Sequence, residues 1–293
     1  MRTGVPCNEN RFFPVRIYYT GKTLFWPCTG PVRDCSVYCI LNSHDTCLKT
    51  SQISLTVTKF LITSGQNSDG YQRTSEMIDL AIKSDSSCKN WAEFPKDVDS
   101  ATGGVIKETV VICGGVVDPG ESFNECYSLN GKVATLITHM SAKRAYAASL
   151  VINGASLWIT GGWSSDTGRL ASSEYITLEG SIPGPDMPIP VDLHALVAIN
   201  KTCSLLIGGR TTGSVTLPTV YYFEHEGKNW SQGPDLIQAR RSHAAGLVTD
   251  ETTYDEFVIV TGGEFNGIML DSTEILINNQ WHLGKITHDC SIL

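Results

Sequence analysis

The sequence predicts an all-β protein, a β-propeller with five recognisable blades, on three observations. An apolar run rich in Val, Ile and Leu recurs five times along the 293 residues. A glycine or a glycine pair ends each run, and a further mark follows 10 to 12 residues later. Each run is bounded by glycine and has the length of a buried strand, which is too short for a helix.

The repeated glycines set the period of the chain. They are Gly65, Gly114, Gly115, Gly161, Gly162, Gly208, Gly209, Gly262 and Gly263. The second positions are 50, 47, 47 and 54 residues apart, and Ser64 replaces the first glycine of the first copy. Such a period holds four strands, and a small sheet buries both faces only by packing on the next copy. Sheets arranged in this way around an axis form a propeller, in which glycines allow the tight turn that ends an inner strand.

The second mark opens another short β-prone run in each copy. Its residues are Glu76, Glu125, Glu174, Val220 in place of an acid, and Glu274. One equivalent carboxylate per blade favours a structural role over a catalytic pair, so we interpret these residues as bonding the backbone or the arginine that precedes a blade. Arg241 with Glu274 is the first such pair to test.

These residues resemble the kelch repeat, and the fifth copy carries the resemblance best. It contains Trp230, Gly233, Pro234, Arg240, Arg241, His243, Gly262, Gly263, Glu274 and Trp281 in the order of that repeat. The resemblance covers residues 52–285 and implies a kelch-type propeller of the secreted, invertebrate kind. Kelch propellers commonly close with six blades, so a five-bladed ring, an incomplete ring and a sixth, unrecognised blade all stay open.

The N-terminal segment, residues 1–50, falls outside the repeat and is rich in cysteine. Its candidate disulfide cysteines are Cys28, Cys35, Cys39 and Cys47. The phrase that contains the last three resembles the cysteine helix of apple or PAN modules, which implies a disulfide-stapled extracellular unit. A truncated module and a zinc site are the alternatives. Residues 286–293 form a short tail.

A second candidate disulfide lies inside the propeller. Cys113 precedes a glycine pair and Cys126 follows the next acid, so the two residues fall on neighbouring antiparallel strands within bridging distance. The alternative is a pair of buried thiols.

Composition restricts the compartment and the partners. A net charge of -8 disfavours a nucleic-acid partner, and no apolar run is long enough for a membrane span. Ten cysteines favour an oxidising, extracellular location, with which candidate glycosylation sites at Asn200 and Asn229 agree. The N-terminus lacks the apolar stretch of a signal peptide, which leaves a cytoplasmic location as the alternative.

No catalytic residue, cofactor or metal is predicted, because none of the common nucleophile, zinc-protease or phosphate-loop motifs occurs. His194 and His243 occupy the same place in their repeats, which indicates packing. We therefore expect a non-enzymatic scaffold that binds a protein or a glycan through the exposed loops after the glycine pairs. A propeller enzyme of the copper-oxidase or sugar-hydrolysing type and a cytosolic kelch interaction scaffold are the alternatives.

Overall fold

A computed structural model describes residues 51–54, 59–67, 70–79, 88–90, 92–130, 133–249 and 255–284 of the chain. The Cys-rich N-terminal segment, with Cys28, Cys35, Cys39 and Cys47, and the tail at 286–293 lie outside the described residues. Within the described ranges the chain forms β-strands and contains no α-helix. No helix there is long and apolar enough to cross a membrane.

In the described part of the chain, five four-stranded antiparallel sheets follow one another, and we name them A to E. Sheet A contains β1 (Ser51–Ser54), β2 (Lys59–Asn67), β3 (Gly70–Asp79) and β4 (Cys88–Asn90). Sheet B contains β5 (Thr102–Ile106), β6 (Thr109–Cys113), β9 (Glu125–Asn130) and β10 (Val133–His139). Sheet C contains β11 (Ala148–Ile152), β12 (Ser156–Thr160), β15 (Ser173–Thr177) and β16 (Gly180–Pro183). Sheet D contains β17 (Ala195–Ala198), β18 (Cys203–Ile207), β19 (Val220–Glu224) and β20 (Asn229–Gln232). Sheet E contains β21 (Ala244–Thr249), β22 (Glu256–Thr261), β25 (Thr273–Ile277) and β26 (Gln280–Gly284).

Three of the segments that the sequence predicts as exposed loops form short two-stranded hairpins instead. They are β7 (Val116–Val117) with β8 (Glu121–Ser122), β13 (Trp163–Ser164) with β14 (Gly168–Arg169), and β23 (Glu264–Phe265) with β24 (Ile268–Met269). Each hairpin follows a glycine pair and connects the second and third strands of sheet B, C or E. A hairpin satisfies backbone groups that an open loop would leave to water.

In every sheet the strands lie side by side in chain order, and the first strands of successive sheets are neighbours. β1 lies next to β5, β5 next to β11, β11 next to β17, and β17 next to β21. Four-stranded sheets whose first strands lie next to one another in space, in the order of the chain, are consistent with a propeller-like fold.

In sheets A to D, the glycine at the second position of the repeat joins its sheet to the chain segment that enters the next sheet. The Gly115 amide donates to the carbonyl of Arg144 at 2.7 Å, and Arg144 lies just before sheet C. The equivalent bonds are Gly65 to Val98, Gly162 to Val191 and Gly209 to Arg240. No side chain fits at the first glycine of the pair. Gly114 has φ 60°, and a Cβ atom there would lie 2.2 Å from the Arg144 carbonyl oxygen. The glycine pairs are therefore where one sheet approaches the entry of the next.

Buried side chains fill the spaces between neighbouring sheets. Val111 of sheet B belongs to the same apolar cluster as Leu157 and Ile159 of sheet C. Trp158 of sheet C and Phe223 of sheet D are both fully buried, with ring centroids 4.6 Å apart. Because these contacts cross from one sheet to another, each sheet needs its neighbour to bury its apolar face.

The strand register shows that two of the residues predicted to occupy equivalent places on the third strands, Glu125 and Val220, do not occupy them. Glu174 lies opposite Ile159, two residues before Gly161, and Glu76 and Glu274 have the corresponding partners. In sheet B that position belongs to Tyr127, and in sheet D to Tyr221. The sequence spacing placed Glu125 and Val220 there, but Glu125 lies two residues before Tyr127 and Val220 lies one residue before Tyr221. The prediction was wrong because the connection between the strands varies in length, and spacing alone does not fix the register.

Candidate functional site

The strand position immediately before each repeated glycine takes part in a cross-strand pair, and in sheet B that pair is a buried disulfide. Cys113 lies opposite Cys126, and their sulfur atoms are bonded, with Cα atoms 4.1 Å apart. In sheet E the equivalent Thr261 and Thr273 share a hydrogen bond of 2.9 Å between their hydroxyls. The predicted cysteines thus occupy a repeated position that sheets A, C and E fill with hydroxyl groups and sheet D with Ile207 and Val220.

A buried Arg–Glu pair holds the entry segment of sheet C. The Arg144 guanidinium donates to Oε1 of Glu174 at 3.0 Å and 2.8 Å, and both side chains are 1% exposed. The same guanidinium donates to the carbonyls of Gly161 and Ser172. Burial raises the pKa of Glu174, but the Ser141 amide and the charge of Arg144 outweigh it, so this pKa lies below its usual value. The pair fixes the segment that leads from sheet B into sheet C.

Sheet E contains an equivalent buried Arg–Glu pair, but its arginine differs from the predicted one. Arg240, not Arg241, donates to Oε1 of Glu274 at 2.7 Å, and both side chains are fully buried. Arg241 instead donates to Oε1 of Glu264 at 2.6 Å. Neighbouring residues of extended chain point to opposite sides, so the first arginine faces the core and the second faces the hairpin β23–β24. Glu274 bonds an arginine, as predicted, but that arginine is Arg240, one residue before the predicted Arg241.

The glycine pairs lie at one end of the five sheets, and polar side chains from all five sheets gather there. We call this set the mouth cluster. It comprises Tyr71, Asp99, Tyr146, Arg169, Asp192, Arg210, Arg241 and Glu264. Most of these residues belong to an entry segment or to the chain just after a glycine pair, so the fold itself brings them to this end.

The entry segments are tied to one another by backbone hydrogen bonds. The Tyr146 amide donates to the Ser100 carbonyl at 3.1 Å, Leu193 to Tyr146 at 3.0 Å, and Ser242 to Leu193 at 2.9 Å. All four residues have a left-handed φ, between 55° and 58°. Left-handed backbone at a residue other than glycine is uncommon, and here the same hydrogen-bonding role imposes it in four sheets. This chain of bonds fixes the backbone from which the mouth cluster projects.

Arg210 and Asp192 form an ion pair with two hydrogen bonds in the mouth cluster. Nε and Nη2 of Arg210 donate to the two carboxylate oxygens of Asp192 at 3.0 Å and 2.8 Å. Arg169, from the hairpin of sheet C, forms a second ion pair with Asp192 at 3.2 Å. Asp192 is fully buried, whereas 14% of the Arg169 side chain and 22% of the Arg210 side chain are exposed. The carboxylate thus anchors two guanidinium groups that remain accessible to a ligand.

Tyr146 lies among charged and phenolic groups of the neighbouring sheets. Burial, Asp99 and Tyr71 raise the pKa of Tyr146 to about 12, so its hydroxyl stays protonated at neutral pH. The hydrogen bond with Asp192 raises the pKa of Arg210, to which Tyr146 and Glu264 also contribute. Sheets A to E therefore contribute groups that interact electrostatically across the mouth.

The mouth cluster offers hydrogen bonding without a strong net charge. Arg169, Arg210 and Arg241 balance the carboxylates of Asp99, Asp192 and Glu264. Exposed apolar side chains stand at the tips of the adjacent loops: Val215 is 56% exposed, Ile268 66% and Met269 44%. Guanidinium and phenol groups beside apolar tips can bind hydroxyl-rich or peptide ligands.

The predicted glycosylation sites and the two histidines of the repeat lie outside the mouth cluster. Asn200 and Asn229 are exposed in hairpins at the end of sheet D away from the glycine pair. His194 and His243 are buried, and Nε2 of His194 lies 2.8 Å from the Thr160 hydroxyl. Within the described part of the chain, no group of three or more His, Cys, Asp or Glu residues is arranged to hold a metal ion.

The mouth cluster was missed by the sequence reasoning, because its members are far apart in the chain and no motif joins them. A signal was available: Asp99 and Asp192 occupy the same place in their entry segments, and Arg210 and Glu264 both directly follow a glycine pair. Polar residues at equivalent places of different repeats meet at one end of the structure.

The fold and this site define an all-β protein of multiple antiparallel sheets with a polar cluster at one end. Its fold is similar to a solved structure described as "Structure of YjhT", a kelch-like β-propeller-type protein. The TM-score is 0.67 at 16% sequence identity, over 81% of this chain and 83% of that one. No protein-family model and no curated protein matches the chain.

Proposed function

We propose that the chain is a kelch-type β-propeller that acts as a non-enzymatic, extracellular scaffold and binds a protein or a glycan at the mouth cluster. The observation that carries this proposal is the convergence of guanidinium, carboxylate and phenol groups from five sheets at the glycine-pair end. The glycine repeats and the fold shared with YjhT support the kelch-type propeller. The Cys113–Cys126 disulfide hints at an oxidising environment.

The chemistry of the cluster favours binding over catalysis. Its arginines are engaged with carboxylates, and its phenol stays protonated at neutral pH, so the cluster presents donors and acceptors of fixed position. Preorganised polar groups on a rigid β-scaffold lower the entropy cost of binding a ligand. Exposed apolar residues at the loop tips add contact area for a protein or for the apolar face of a sugar.

A binding screen of the purified full chain against arrayed glycans and extracellular protein domains tests the proposal. The variant Y146F removes one hydroxyl from the mouth cluster and is expected to weaken binding about tenfold, as for one lost hydrogen bond. The matched control is Y222F, which removes a hydroxyl that donates to Asn279, in the turn between β25 and β26 at the end of sheet E away from its glycine pair. Its affinity is expected to stay within about twofold of the original protein.

Three outcomes would argue against parts of this proposal. Equal affinity of Y146F and the original protein would place the ligand elsewhere. Oxidation or hydrolysis of an arrayed sugar, or stoichiometric bound copper, would favour an enzyme. Titration of all ten cysteines without reductant would favour the cytosolic scaffold.

A further inference from the structure

Sheet D has two hairpins at the end opposite its glycine pair, and each contains an Asn-Xaa-Ser/Thr sequence. The hairpin between β17 and β18 contains Asn200 and Thr202, and the hairpin between β19 and β20 leads to Asn229 and Ser231. The two hairpins adjoin, because the His225 amide donates to the Thr202 carbonyl at 2.9 Å. Both asparagines therefore lie on one end of one sheet.

The surface around the two asparagines is polar and open. Asn200, Lys201 and Thr202 are all exposed in the first hairpin. The stretch 226–229 of the second hairpin is exposed throughout, and it ends at Asn229. An attached glycan would therefore extend into solvent without displacing packed side chains.

The local geometry presents Asn200 at the turn. Its side-chain oxygen accepts hydrogen bonds from the Thr202 amide at 2.8 Å, the Thr202 hydroxyl at 2.9 Å and the Cys203 amide at 2.8 Å. These bonds fix the carboxamide on an exposed residue and keep the sequon hydroxyl beside it.

The position of these hairpins separates them from the mouth cluster. β18 starts after the hairpin of Asn200 and ends at Ile207, just before Gly208, so a strand of five residues, about 17 Å long, lies between the two ends. A glycan on either asparagine would point away from the entry segments and from Arg210. Modification there would leave the mouth cluster accessible.

We propose that Asn200 and Asn229 both carry N-linked glycans, which cover the hairpin end of sheet D and leave the glycine-pair end bare for the ligand. In the transfer, the side-chain Nδ2 attacks the anomeric carbon of an oligosaccharide bound to a lipid diphosphate. The N–C bond forms, the C–O bond to phosphate breaks, the lipid diphosphate leaves and the amide loses one proton to the transferase. This inference rests on the extracellular location in the proposed function.

The test is expression of the full chain through the secretory pathway of a eukaryotic cell, followed by mass measurement of the secreted protein. We expect two glycans, both removed by an amidase that leaves aspartate at each modified position. N200Q and N229Q should each lose one glycan. T202A should also lose the glycan at Asn200, whereas T202S should keep it, which separates modification from any effect of the asparagine on folding.

A third variant separates failure of this inference from failure of the proposed function. I268T creates a sequon at Asn266, in an exposed hairpin turn at the glycine-pair end, and Ile268 is itself 66% exposed. A glycan at Asn266 with none at Asn200 and Asn229 would overturn the inference, while the extracellular location would stand. A folded, secreted protein that carries no glycan in any variant would overturn it as well. Glycans at all three positions would support it, and a ligand that then binds the original protein but not I268T would place binding at the bare end.

Discussion

Sheets C and E differ from sheets B and D in how they fix the same segment of backbone. In C and E a buried arginine before the first strand bonds a buried glutamate on the third strand, as Arg240 bonds Glu274. In sheet D the corresponding residues are Val191 and Tyr221. In sheet B they are Val98 and Tyr127.

The comparison shows that the geometry of the repeat is kept while its chemistry changes. In both classes the glycine of the preceding sheet donates to the carbonyl of the residue at the arginine position, at 2.7–2.9 Å. The backbone contact is thus common, and the side chains vary as a matched set, ionic in one class and apolar-aromatic in the other. Replacing one residue of such a pair should therefore lower the free energy of unfolding strongly, whereas replacing both with the pair of the other class should lower it much less.

The largest effect is expected for R240V in sheet E. This variant leaves the fully buried Glu274 carboxylate without its cation, which destabilises proteins by about 3–5 kcal/mol. The double variant R240V/E274Y copies the pair of sheet D and should recover at least half of that loss. Urea unfolding followed by tryptophan fluorescence measures both free energies. Equal destabilisation of the single and double variants would show that the two classes are not interchangeable.

The next largest effect concerns the buried cross-strand pair before the glycines. C113T/C126T replaces the disulfide of sheet B with the hydroxyl pair that sheet E has at Thr261 and Thr273. We expect a loss of about 3 kcal/mol, the usual contribution of a disulfide that closes a short loop. A reductant should lower the unfolding midpoint of the original protein by more than that of the variant. A midpoint that does not respond to the substitution would contradict this account.

The same comparison explains how much could be predicted from the sequence. The repeat, the five sheets of the described residues and the cysteine pair followed from spacing, because glycine pairs and apolar runs mark strands directly. The residues of sheets B and D that correspond to the glutamates of the other sheets could not be predicted from spacing. In sheet B, Glu125 is an acid at nearly the right spacing, and only the pairing of Cys113 with Cys126 shows the register. The mouth cluster could not be predicted, because side chains such as Tyr146 and Arg210 meet only once the sheets pack together.

Sheets D and E differ from sheets B and C in their response to acid. His194 and His243 stand in the entry segments of D and E, where B and C have Ala101 and Ala147. Burial lowers the pKa of His194 to about 4, against a small opposing effect of Asp192. Burial, Arg240 and His194 lower the pKa of His243 to about 3.

The direction of the pH dependence follows from these values. Both histidines bind protons in the unfolded chain below about pH 6.5, whereas the folded protein binds them only near pH 4 and pH 3. The contribution of the two neutral histidines to the free energy of unfolding is therefore complete above pH 6.5 and is lost as the pH falls. Between pH 7 and pH 5.5 we expect the free energy of unfolding to fall by about 2 kcal/mol. H194A/H243A, with the alanine of sheets B and C, should flatten this slope, whatever its stability at pH 7. An unchanged slope would assign the acid sensitivity to other groups.

The smallest effect is expected for the exposed ion pair between sheet A and the segment that enters sheet B. Arg73 donates to Asp97 through Nε and Nη2, both at 2.7 Å, in the same two-bond arrangement as Arg210 with Asp192. About half of each side chain is exposed, however, at 46% and 50%, so water and salt screen the attraction. R73Q should leave the urea midpoint unchanged within error at physiological salt. Because the bond geometry matches that of Arg210 and Asp192, a clear loss of stability would show that geometry outweighs burial in setting the strength of these pairs.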